Sequence, residues 1–204
     1  MTRAPRKHPA AAKGSRSSDV PALDAARIVE AAWTVVDREG LGGLSTHKVA
    51  AELSVKQPAL YYHVKSKQQL LSLMVEQMMP LGALSHPDDL PWWEWLREYG
   101  REQRRRLSSH RDGGLVAANA PPTEQMQTDM FPRALEPMVR AGMQLSEAAA
   151  AVGAIAGFVL GHVIYEQSAS TRAFMEAFSP PDHSFEHGLD FIIAGVREKA
   201  GAAG

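Results

Sequence analysis

Residues 45–67, Ser-Thr-His-Lys-Val-Ala-Ala-Glu-Leu-Ser-Val-Lys-Gln-Pro-Ala-Leu-Tyr-Tyr-His-Val-Lys-Ser-Lys, constrain the chain more than any other stretch. Val49, Ala50 and Leu53 recur at the spacing of one helix face, and Ser45 or Thr46 offers a side-chain oxygen to cap that helix. Ser54-Val55 makes a tight turn. Pro58 then opens a second helix, where its fixed φ helps and its missing N–H costs nothing. Leu60 and Val64, four apart, face inward and leave Gln57, Tyr61, Tyr62 and His63 largely outside. Two short helices at a tight turn, with amide and aromatic groups at the start of the second, describe a helix-turn-helix, whose second helix enters the major groove of a duplex.

The flanks extend the motif into a domain. Ile28, Ala31, Ala32, Val35 and Val36 follow the spacing of an amphipathic helix that Asp24 can cap and Gly40 can end. Ser66-Lys-Gln-Gln69 has the form of a capping box at the start of a fourth helix. Lys65 and Lys67 flank that start, where free backbone N–H groups and positive side chains both favour a phosphate.

The stretch from Ile28 to Met78, above all Gly40-Leu-Gly-Gly-Leu-Ser-Thr46 and Pro58-Ala-Leu-Tyr-Tyr-His-Val-Lys65, resembles the DNA-binding domain of the TetR family of bacterial repressors. One departure is Ser54, where such turns commonly carry Gly; a left-handed non-Gly residue costs about 1 kcal/mol. Ser109-His-Arg-Asp-Gly113, Pro122-Thr-Glu-Gln125, Leu160-Gly-His-Val-Ile-Tyr-Glu-Gln167 and Gly188-Leu-Asp-Phe-Ile-Ile-Ala-Gly195 are similar to segments of the tetracycline-repressor branch of that family. The resemblance covers roughly residues 24–200. It implies an all-α fold: a three-helix helix-turn-helix domain at residues 21–67, then a helical ligand-binding and dimerisation domain at 68–204. It also implies DNA contacts from Thr46, His47, Gln57, Pro58, Ala59, Tyr61, Tyr62, His63 and Lys67.

Charge is divided between these two parts. Residues 1–67 hold 11 Lys/Arg against 6 Asp/Glu, whereas residues 68–204 hold 11 against 17. Positive charge on the first part supplies the electrostatic share of DNA affinity, which the net charge of −1 conceals. Residues 1–20, with Arg3, Arg6, Lys7, Lys13 and Arg16 among Ala, Pro and Ser, read as a disordered basic tail. The same tail would serve as an arm reaching phosphates or a minor groove. It lacks the apolar stretch of a secretory signal. The chain has no cysteine, which excludes disulfides and thiol redox sensing and fits a cytoplasmic protein.

In the second part the fourth helix should end near Pro80, followed by a loop at 81–90 and a helix opened by Pro91, with Trp92, Trp95, Leu96 and Tyr99 on one face. Arg104-Arg-Arg106 reads as a solvated run favoured by the helix dipole. A short helix lies between Gly113-Gly114 and Pro121-Pro122. A longer helix from about Thr123 carries Phe131, Leu135, Met138 and Val139 on one side, and Pro132 and Pro137 should bend it. Residues 167–182 read as a long connection.

Ala148 to Ile164 is almost wholly apolar, with Gly153, Gly157 and Gly161 at four-residue steps. In a bilayer this would be a helix-dimerisation face. The run is short for a span, holds His162 and has no apolar companion, so it reads as a helix buried on several sides rather than in a membrane. Together with the stripe Phe185, Leu189, Ile192, Ile193 and Val196, it builds a two-fold homodimer through the helices at about 146–166 and 183–200, which is also where the family's dimers join.

Enzyme chemistry has little support: there is no Gly-rich phosphate loop and no Gly-x-Ser-x-Gly elbow. His183 and His187 could share a metal, but no third ligand is near in sequence, and no cofactor is expected. A second reading stays open, a helical small-molecule-binding or catalytic bundle with a helix-turn-helix-like start. By resemblance, a ligand cavity lies after Pro91, and Trp95, Tyr99, Gln103, Ala117, Pro122, Met130, Arg133, Phe158 and His162 are its candidate lining. Arg133 either turns inward to meet an acidic ligand or lies exposed on its helix. In the tetracycline-repressor branch the drug arrives as a magnesium chelate held by a histidine and by a carboxylate acting through metal-bound water. Ala117 and Tyr165 stand at the matching positions here, with Glu166 adjacent, so the expected inducer is a small apolar or aromatic molecule other than magnesium-tetracycline. The partners expected are therefore operator DNA, that inducer and a second copy of the chain.

Overall fold

The computed structural model describes residues 23–79 and 90–202, and the described residues are helical with no strand. The tail at 1–20, Pro80 and the loop through His86-Pro87-Asp88-Asp89 lie outside them. Helix α1, Ala25–Glu39, begins where the Asp24 carboxylate accepts the Arg27 N–H at 2.9 Å. It buries Ile28, Ala32, Val35 and Val36 completely. Gly40 ends it at φ +77°, a backbone that strains any residue with a Cβ, and a Cβ there would also stand 2.9 Å from Asp112 Oδ2.

Helix α2 (Thr46–Glu52) is capped by Ser45, whose hydroxyl accepts the Lys48 N–H at 3.3 Å. Ser54, at φ 56°, makes the left-handed turn into α3, Gln57–His63. Pro58 therefore sits second in α3, not first; its missing N–H still falls among the unpaired donors of the first turn. Leu60 and Val64 are wholly buried, which fixes the outward face of α3. Helix α4 (Lys67–Met78) starts with Ser66 accepting the Gln69 N–H at 3.1 Å. Gln69 reaches back to the Lys65 N–H at 2.7 Å, one residue earlier than a standard capping box.

The second part is built around α8, Leu145–Gln167, which packs on α5 (Trp92–Leu107), α6 (Gly113–Asn119), α7 (Phe131–Arg140) and α10 (Pro181–Ala202). Leu96, Ile155, Val159, Phe185, Leu189 and Ile193 form its fully buried centre, so Phe185, Leu189 and Ile193 of the stripe expected at the dimer interface pack inside the subunit instead, where α10 meets α5 and α8. Before α7 the helix widens into a π-helical turn, Met126–Met130. Pro132 cannot donate to the residue four before it, and the wider turn ends just ahead of it, so the bend takes this form and Pro137 is simply absorbed. Phe131 and Val139 stand exposed at the edges of the α7 face, whose buried residues are Ala134, Leu135, Pro137 and Met138. The stretch at 167–182 is not an open connection, because α9, Ala169–Glu176, occupies half of it.

The arginine run is also not a solvated face. Arg104 forms a two-pronged pair with Glu166, donates to Asp182 at 2.6 Å and lies over the Phe185 ring at 4.5 Å, joining α5, α8 and α10. Arg106 pairs with Glu102 and donates to the Met78 carbonyl at 2.8 Å, tying α5 to the end of α4. Only Arg105 extends into solvent while pairing with Glu102. The helix turns these three side chains in different directions, and two of the directions meet carbonyls or carboxylates of other helices.

Candidate functional site

Along α3, Pro58, Ala59, Tyr61 and Tyr62 are exposed, with Tyr62 the most open at 79%. Gln57 and His63 are half-buried, and His47 of α2 is exposed beside them. The hydroxyls of Thr46 and Tyr61 lie 3.4 Å apart, which steadies the tyrosine across the two helices. Lys65 Nζ donates to the Tyr62 carbonyl at 3.3 Å and stands over that ring at 5.8 Å. Lys67 turns back, its Nζ donating to the Leu41 carbonyl at 3.4 Å, so it pins α4 to the turn after α1. Thr46 and Tyr61 across α2 and α3, and Tyr62 and Lys65 at the end of α3, thus add polar, aromatic and cationic groups to the outward side that Gln57 and His47 also reach in part or in full.

A cavity of about 230 Å³ opens between α4 and α8. Val75 of α4 and Met79, which follows it, form one wall; Tyr99, Gln103 and Leu107 of α5 form the next, with Ala117 of α6 beside them. Met126, Met130, Phe131 and Ala134 close it from the π-turn and α7, and Ala156 and Leu160 from α8. Gln103 hydrogen-bonds the buried Tyr99 hydroxyl, and burial pushes that phenol up to about 12.

Four of the nine residues expected there, Tyr99, Gln103, Ala117 and Met130, line this cavity. The other five lie elsewhere, each for a visible reason. Trp95 is buried one turn before Tyr99 and stacks on it at 5.4 Å, filling core. Pro122 is exposed in the loop after α6. Arg133 is exposed on α7, so its inward alternative does not occur in this structure. Phe158 packs on Gly188, where a Cβ would stand 2.6 Å from its ring, and stacks on Phe185. His162 also turns to α10, its ring 5.2 Å from Phe185 and its Nε2 3.4 Å from Glu166. Burial pushes the His162 imidazole below its ordinary range. Val75 and Met79 carried no mark in the sequence beyond ordinary helix-face spacing, because residues that line a cavity and residues that fill a core share one apolar pattern.

The donors here do not fit a magnesium chelate. Ala117 contributes a methyl group to the cavity, and Tyr165 is half exposed on α8. Glu166, the nearest carboxylate in sequence, is held by Arg104 on the α10 side. His183 and His187 stack at 4.0 Å, and among the described residues no group of three or more His, Cys, Asp or Glu comes together as a metal site.

The part that holds the cavity and the part that holds α1 to α3 are joined through two sets of bonds. Ser72 donates to the Pro121 carbonyl at 2.7 Å, and Thr123 donates to Glu76, so α4 grips the loop after α6. At the far end Asp37 of α1 accepts from the Arg111 N–H and from His110 Nδ1, both at 2.9 Å. Asp112 accepts the Leu41 N–H at 2.8 Å, and Trp33 stacks on His110 with centroids 4.2 Å apart. Gln167 of α8 holds this 108–112 loop by donating to the Leu107 and His110 carbonyls.

Residues 28–74 match the model of the tetR family of bacterial regulatory proteins, and residues 85–180 match the tetracyclin repressor-like C-terminal domain. The class D tetracycline repressor protein of Escherichia coli is 30% identical over 198 residues, spanning 85% of this chain and 88% of that one. Among solved structures, a single-residue variant of TetR from Acinetobacter baumannii in complex with minocycline superposes with a TM-score of 0.75 at 30% identity, covering 87% of this chain and 98% of that one. ActR from Streptomyces coelicolor in complex with actinorhodin superposes with a TM-score of 0.78 at 26% identity, covering 91% and 100%.

Proposed function

The chain belongs to the TetR family of bacterial regulatory proteins, and from that premise we propose how it works. It is a ligand-responsive transcriptional repressor that binds a palindromic operator as a homodimer and leaves it when a small molecule enters the cavity. Residues 21–67 are the DNA-reading unit, residues 68–204 hold ligand and partner, and α4 belongs to both. Its site of action is the cytoplasm, where the operator is. The relatives are regulators rather than enzymes.

The observation that carries this reading is the position of α4. Its Val75 and the Met79 that follows it touch the cavity, its Ser72 and Glu76 are bonded to the loop beyond α6, and Lys67 at its start is bonded to the turn after α1. A ligand that fills the cavity better in one α4 position than in another must shift the population toward that position, and the α3 helices move with it. Two recognition helices that no longer match half-sites about one helical turn apart lose the operator. The dimer seam is the face of α8 at Gly153, Gly157 and Gly161, where a Cβ would meet nothing within 4 Å in the subunit, together with the exposed Phe191 of α10.

Gln57 reads a base edge, and Lys65 and Tyr61 hold phosphates. Gln57→Ala should lose about 1–3 kcal/mol of preference for operator over random duplex, while Lys65→Ala should weaken both alike. Competition binding at fixed salt measures this. Equal losses on both duplexes from both substitutions would refute the division of roles.

A further inference from the structure

We infer that the cavity between α4 and α8 takes an uncharged aromatic molecule of two fused rings bearing one hydroxyl or carbonyl group, and takes it without a metal ion. The inference rests on reading this cavity as the inducer site and adds the chemistry of the inducer. Size comes first. An apolar cavity of about 150 Å³ accommodates benzene, and the 230 Å³ here leaves room for a second ring. Charge comes next: among the described residues no Asp, Glu, Lys, Arg or His lines the cavity. An ionised group placed in it would lose its hydration with no counter-charge opposite.

The polar side chains among the described lining residues are a single pair. The Tyr99 phenol stays protonated at neutral pH and is hydrogen-bonded to Gln103. A primary amide offers two N–H donors and a carbonyl, more than one phenol can use, so Gln103 keeps capacity for one ligand hydroxyl or carbonyl. The remaining walls include the thioethers of Met79, Met126 and Met130 and the ring of Phe131. Thioethers adapt to irregular shapes and pack well at aromatic edges, which suits a flat ring system.

The test is calorimetric titration of the full-length dimer at pH 7 with 1-naphthol, naphthalene and 1-naphthoate, each with and without EDTA. The expected result is 1-naphthol at least tenfold tighter than 1-naphthoate, with EDTA changing neither. Gln103→Leu should weaken 1-naphthol about fivefold, the loss of one hydrogen bond, and leave naphthalene unchanged. Ala117→Phe, which fills the cavity, should weaken both by tenfold or more. Melting of each variant without ligand shows that it is folded. Naphthoate binding as tightly as naphthol, or binding abolished by EDTA, would overturn the inference. A parallel duplex-binding measurement separates the two readings: an operator-binding protein that takes none of the naphthalenes refutes the ligand class and leaves the repressor intact. A protein that prefers naphthol to naphthoate yet binds no operator supports the cavity chemistry and refutes the repressor.

Discussion

Tyr99 places a hydroxyl among apolar side chains with Gln103 as its partner, and burial holds its pKa at about 12. A pKa raised above the ordinary value of about 10 means that folding favours the protonated phenol. That contribution is complete below pH 10 and is lost as pH rises toward 12. Urea unfolding between pH 8 and pH 11.5 should therefore show the protein losing up to about 2 kcal/mol more than Tyr99→Phe, which has no proton to lose. An identical alkaline decline in the two proteins would show that Tyr99 is not held protonated by its surroundings. At this scale the sequence was legible where a residue's role is local. Ser45, Ser66 and Asp24 cap the helices they precede because the donors they meet lie three residues away. Arg104 was not legible, since its partners Glu166 and Asp182 lie on other helices.

Among the helices, the pair α2–α3 could be read from spacing alone, because its turn, its caps and its inward Leu60 and Val64 all act within one short stretch. Helix α9 could not; it lies in a segment with proline at its end and no strong apolar periodicity. Helix α8 is the most apolar element, long and apolar enough by length and composition to cross a membrane, yet only 33% of its most apolar window is buried within the subunit. An apolar helix half open to water needs a cover, and its open side carries glycines that allow close backbone approach. Gly157→Leu tests the seam sharply. A Cβ at Gly157 meets nothing within 4 Å in its own subunit, so the larger side chain is tolerated there and obstructs only a second copy. Overpacking of a joined surface costs about 1–3 kcal/mol. Sedimentation should then show folded monomers, with operator binding lost. A stable Gly157→Leu dimer that still binds operator would place the seam elsewhere.

Across the whole molecule, charge and connectivity agree. The excess of positive charge lies in residues 1–67, which carry α2 and α3, and the excess of negative charge in the remainder. The two parts are joined at one end by the Asp37 and Leu41 bonds to the 110–112 loop and at the other by the bonds of Ser72 and Glu76 beside the cavity, so a shift at the cavity and a shift of the first part bear on one set of contacts. The central claim is that two copies of α3, held by one dimer, read one inverted repeat. Selection of duplexes from a random pool by the purified ligand-free protein measures this directly. The account predicts recovery of an inverted repeat with half-sites centred about one helical turn apart, its enrichment lost in Gln57→Ala. Recovery of a single unrepeated site, or of no preferred sequence at low and moderate salt, would contradict it.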